Sequence, residues 1–146
     1  MTMTIQHIDA IAREKRRDVA YIEFRRPAAR QRRLDAWDDD KLVAEWKDLA
    51  SRRKIVRRLD AQAIGYQPCA EFADEGRMLS YRGQLYIDLP VDASSPAFQA
   101  LTLFLEKPDG RARMAGVKFL RCTLAQAMTN AAHDEPGFWE RWAETF

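Results

Sequence analysis

Apolar residues at the start of the chain recur at helical spacing. Ile5, Ile8, Ile11 and Ala12 share one face, which predicts a helix from Thr4 to Arg17, with Thr4 as a cap. Lys15, Arg16 and Arg17 suit the negative end of its dipole. The pattern then switches to period two. Over Asp18 to Arg25, Ala20, Ile22 and Phe24 fall on one face and Val19, Tyr21, Glu23 and Arg25 on the other, the signature of a strand. A helical extension to Arg26 competes, because Val19 and Ile22 also continue the earlier stripe; Pro27 ends either element.

A polar, basic connection over 27–37 leads to Asp38-Asp39-Asp40, a helix start. The stripe Leu42, Trp46, Leu49 drifts through Ile55, Val56 and Leu59, and its shift near Ser51 predicts a kink or two helices. Gly65 reads as the stop. Ile64 to Phe72 reads as a strand that Pro68 confines to a sheet edge. Met78–Tyr81 and Gln84–Leu89 read as a hairpin around Gly83, or as one bulged strand. Ser95-Pro96 caps and opens a helix carrying Phe98, Leu101 and Leu105, and Lys107-Pro108-Asp109-Gly110 forms a turn. Gly116 to Cys122 is a strand, Thr123 starts a helix through about Ala132, and Asp134-Glu135-Pro136 starts a last one.

Without the end helices the order is β-α-β-β-α-β. The expected fold is therefore α+β: an antiparallel sheet with helices packed on one face, a ferredoxin-like split β-α-β, with an added N-terminal helix and a C-terminal helical tail. At 146 residues, 47% apolar and 32% charged, the chain is expected to be one domain, 1–146, with its own core. It shows no secretion signal and no apolar run near the roughly 20 residues of a membrane span, so cytoplasm is the expected compartment.

Charge changes the picture. Residues 1–58 carry 16 Lys/Arg against 10 Asp/Glu, a net of +6; residues 59–146 carry 8 against 12, a net of −4. Such polarity suits a protein built to meet a partner, or reflects helix-end electrostatics. Arg25, Arg26, Arg30, Arg32 and Arg33 cluster in sequence, and Arg53, Lys54, Arg57 and Arg58 share a helical face. They are candidates for phosphate contact, although a GC-rich gene also gives 18 Arg to 6 Lys. Arg82-Gly83-Gln84-Leu85-Tyr86-Ile87 partly fits an RNA-binding strand pattern, and Tyr21 and Tyr86 would share a sheet face on which bases stack. Gln84 and Leu85 break the pattern, and Glu23 and Asp88 would repel phosphate there.

The tail Pro136 to Phe146 places Phe138, Trp142 and Phe146 on one stripe flanked by Trp139. Such a stripe is either a partner-binding or dimerisation element or a helix docked on its own core. His133-Asp134-Glu135 sets a base beside two carboxylates, and Cys69 and Cys122 are the only thiols. The spacings of Cys69, Cys122, His7 and His133 match no zinc motif, and no nucleophile-elbow, P-loop or dinucleotide motif is present. No cofactor or metal is expected. The leading expectation is a non-catalytic accessory or regulatory protein acting through protein–protein contact. The alternatives are RNA or DNA binding through the arginines, and a small enzyme centred on His133.

Overall fold

A computed structural model describes residues 5–25, 46–47, 49–74 and 81–144. Helix α1 (Ile8–Lys15) leads to strand β1 (Val19–Phe24), then α2 (Ala50–Ala61), β2 (Gly65–Pro68), β3 (Leu85–Asp88), α3 (Pro96–Leu105) and β4 (Val117–Cys122). A short α4 (Leu124–Met128), a 3-10 turn (Ala131–Asp134) and α5 (Phe138–Ala143) follow. The sheet order is β2-β3-β1-β4 and every pair is antiparallel. β3 thus separates β1 from β2, as a split β-α-β requires.

The period-two pattern of β1 positions both layers. Ile22 and Phe24 point to one face, in register with Leu85 on β3 and with Phe119 and Val117 on β4. This face packs under the two crossover helices, against Ile55 and Leu59 of α2 and Leu101 and Leu105 of α3. Val19, Tyr86 and Cys122 point to the opposite face, where Ile8, Ile11 and Ala12 of α1 and Ala127 of α4 cover them. The N-terminal helix and the C-terminal region therefore close the face that the crossover helices leave.

Several local expectations shift. α1 begins at Ile8 rather than at Thr4, which lies outside the described residues; His7 before it forms a parallel bridge to Ala70. The helix break falls at Leu49, which is extended, two residues before Ser51. The Asp38–Asp40 helix start lies outside the described residues. α2 ends through Ala63 at a φ of +55°, not at Gly65, which is already the first residue of β2. Ile64 N–H donates to the Leu59 carbonyl and closes that turn. β2 stops at Pro68, earlier than Phe72. Tyr81 belongs to no strand, and the hairpin partner of β3 is β2; Met78–Ser80 lie outside the described residues. The helix from Thr123 ends at Met128 and gives way to the 3-10 turn.

The Ser95 cap and the Thr123 helix start read from sequence are in place; the Thr4 cap lies outside the described residues. The Ser95 hydroxyl accepts from Phe98 N–H, with Pro96 in the first turn. Thr123 and Gln126 form a reciprocal capping box, with bonds of 3.1 and 3.2 Å. Thr123→Ala removes the acceptor and is expected to cost about 1 kcal/mol. Urea denaturation should show a lower midpoint with an unchanged slope.

Candidate functional site

α2 presents two faces. Arg52, Ile55 and Leu59 turn inward and are buried. The inward Arg52 is fixed: its Nε donates to the Gly83 carbonyl at 3.0 Å and its Nη2 to the Tyr81 hydroxyl at 3.1 Å. Arg53 and Arg57, one turn apart, stay exposed on the flank. Beside this flank lies a cleft of about 650 Å³. Val56 of α2, Tyr66 and Pro68 of β2 and Leu85 of β3 give it apolar surface. Lys47, Arg52, Arg53 and Arg57 give it positive charge. Lys47, Arg53 and Arg57 join no ion pair among the described residues. The cleft therefore combines a hydrophobic floor with three cations that have no carboxylate partner among the described residues.

Comparison with known proteins finds no family model, curated protein or solved structure that matches the chain. The reading of the site rests on its own chemistry.

Among the described residues, the other basic candidates do not line this cleft. Arg58 lies over the Phe104 ring, 4.9 Å from its centroid. Arg25 is exposed beyond the end of β1, and Arg26, Arg30, Arg32 and Arg33 lie outside the described residues. Tyr21 and Tyr86 do share a sheet face and stand directly opposite each other. That face is covered by α1 and α4, however, and Tyr86 is only 2% exposed. Its hydroxyl lies between Arg17 and Asp88, and burial pushes its pKa up to about 12. An open stacking platform for bases is not formed at Tyr86.

The aromatic tail docks on its own chain. Trp139 stacks on His7 at 5.6 Å and meets the edge of His133 at 4.7 Å. Phe138 lies 4.6 Å from His133, and Trp142 lies 5.3 Å from Trp139. All three tail aromatics are half-buried; Phe146 lies outside the described residues. The same packing disperses the His133 acid–base candidate. His133 is buried among rings, Asp134 is bound by Arg13, and Glu135 approaches Arg141 at 3.9 Å.

Cys69 and Cys122 are both reduced and buried, the first just past β2 and the second ending β4, at opposite edges of the sheet. Burial pushes the Cys122 thiol up to about 11 and raises that of Cys69 further, so neither is a thiolate nucleophile at neutral pH. No cluster of metal-ligating side chains occurs among the described residues. No described helix is long and apolar enough to cross a membrane.

Two features escaped sequence reading. A shallow cleft of about 330 Å³ lies beside Tyr21, Phe72, Arg121 and Gln126. Close to Tyr21, Glu23 has its carboxyl pKa raised by burial and then by Glu71. The second feature is a buried ion network, in which Arg13 binds Asp9 at 2.9 Å and Asp134 at 2.8 Å. Asp9 and Arg13 are visible in sequence as an i,i+4 pair, but Asp134 is 121 residues from Arg13.

Proposed function

We propose that this chain is a cytoplasmic, non-catalytic accessory or regulatory protein that binds an acidic, partly apolar segment of a partner protein in the cleft between α2 and β2. The observation that carries this reading is the set of cations Lys47, Arg53 and Arg57, with no ion-pair partner among the described residues, around a floor made by Val56, Pro68 and Leu85. Basic side chains attract an acidic partner and set its approach, while apolar surface in a concave site supplies the burial that holds it. The combination favours protein over nucleic acid, since phosphate binding needs the charge but not the floor. The docked tail favours the cleft over Phe138 and Trp142 as the contact surface.

The test is selection of binders from a displayed library of random dodecapeptides, followed by affinity measurement. Selected peptides are expected to be rich in Asp and Glu with interspersed apolar residues. The double variant Arg53→Glu/Arg57→Glu is expected to weaken the best of them by about tenfold or more at moderate salt. Both positions are exposed, so the fold should persist, which circular dichroism checks. The reading fails if no peptide is selected, or if affinity survives the double variant. It also fails if labelled single-stranded RNA binds tightly with a steep salt slope through the same two arginines.

A further inference from the structure

The outer edge of β2 already holds an extended segment at one end. Ala70, two residues past the strand, donates its N–H to the Gln6 carbonyl at 2.8 Å, and its carbonyl accepts from Ile8 N–H at 2.9 Å. Ala70 therefore turns away from β3. Cys69 turns toward it, donating to the Gln84 carbonyl at 3.1 Å. Backbone polar groups alternate in direction along an extended chain. Counting back, Gln67 and Gly65 face β3, whereas Pro68 and Tyr66 face outward. Pro68 has no N–H to offer, but Tyr66 presents both an N–H and a carbonyl. Among the described residues β2 is the outermost strand, so neither group has a strand partner on that side. Tyr66 and Pro68 also line the basic cleft.

We propose that the acidic partner segment binds as an added strand beside β2, hydrogen-bonded to the N–H and carbonyl of Tyr66. This rests on the reading of the cleft given above and specifies how the ligand lies in it. Strand addition uses the edge for affinity and side-chain pockets on one side for selectivity. In an added strand, alternate side chains face α2, spaced about 7 Å apart. Arg53 and Arg57 lie four residues apart on the helix, a rise of about 6 Å along the axis, so two such side chains match them. Acidic residues are therefore required at positions two apart, and the residues between them face away and tolerate change.

The experiment uses the tightest peptide from the dodecapeptide selection and the full-length protein. Amide hydrogen exchange is followed residue by residue with and without the peptide, and the peptide is N-methylated one position at a time. Exchange at the Tyr66 amide is expected to slow by about tenfold or more in the complex. The Gln67 amide, already facing β3, is expected to change little. N-methylation is expected to abolish binding at the peptide position that donates to the Tyr66 carbonyl and to spare the residues on either side of it. If the peptide binds through Arg53 and Arg57 while Tyr66 exchange is unchanged and N-methylation shows no such position-specific loss, strand addition is overturned and acidic recognition stands. If no peptide binds, the parent reading fails and this inference with it.

Discussion

Arg13→Met is expected to lower the free energy of unfolding by about 3–5 kcal/mol, measured by chemical denaturation at neutral pH. Arg13 is 8% exposed and Asp9 is fully buried. The guanidinium donates to Asp9, to both carboxylate oxygens of Asp134 and to the Ala127 carbonyl, all within 2.9 Å. Asp9 also accepts from Ala73 N–H and from the Asn130 amide, at 3.0 Å each. One cation thus ties α1 to the turn at Asp134 and to α4, while Asp9 secures the chain after β2. Methionine fills part of the volume but leaves Asp9 charged, buried and deprived of its counter-ion. The double variant Asp9→Leu/Arg13→Met should recover a large part of the loss, because the cost lies in the uncompensated charge more than in the missing attraction. Equal destabilisation by the single and double variants would contradict that account.

The same network sets an acid limit on stability. Burial by itself raises the Asp9 carboxyl, but the bonds from Asn130, Ala73 N–H and Arg13 outweigh it and hold the pKa below its ordinary 3.8. A carboxyl whose folded pKa is depressed contributes stability above its unfolded pKa and loses it as pH falls through the folded value. The Asp9 contribution is therefore complete at neutral pH and declines below about pH 4. Arg13→Met removes one of the bonded partners and should flatten the decline.

Elements whose signals are local were legible in the chain. The alternation of Val19 to Phe24, the Ser95-Pro96 cap and the helix start at Thr123 each depend on a few neighbouring residues, and each is where the pattern put it. Features set by distant contacts were not. Gly65 carries the stronger stop signal, yet Ala63 takes the left-handed turn, because Gly65 pairs with Asp88 in the sheet. The basic flank of α2 was visible as Arg53 and Arg57 at helical spacing. Its conversion into a cleft was hidden, since the floor comes from Pro68 and Leu85, cross-strand partners 17 residues apart in number. Likewise the aromatic stripe of α5 was plain, but its docking partners, His7 and His133, lie on two other elements.

Gly83→Ala is expected to destabilise the protein by about 2–5 kcal/mol and to weaken peptide binding at the cleft. Gly83 holds a φ of +83°, where an L-residue costs roughly 1–2 kcal/mol. A Cβ there would also stand 2.7 Å from Trp46 Cδ2 and 2.9 Å from Trp46 Cγ, at the rigid centre of a buried indole. Overpacking of that kind adds about 1–3 kcal/mol. The strain reaches the site because the Gly83 carbonyl accepts from Arg52, which lines the cleft. Gly110 separates the two contributions. Its φ is +87°, but a Cβ built on it meets nothing within 4 Å, so Gly110→Ala should show the conformational cost alone and leave peptide affinity unchanged. The excess loss in Gly83→Ala then measures the contact with Trp46. Equal losses in the two variants would mean that the indole gives way, and that the loop at Gly83 does not stiffen the wall of the cleft.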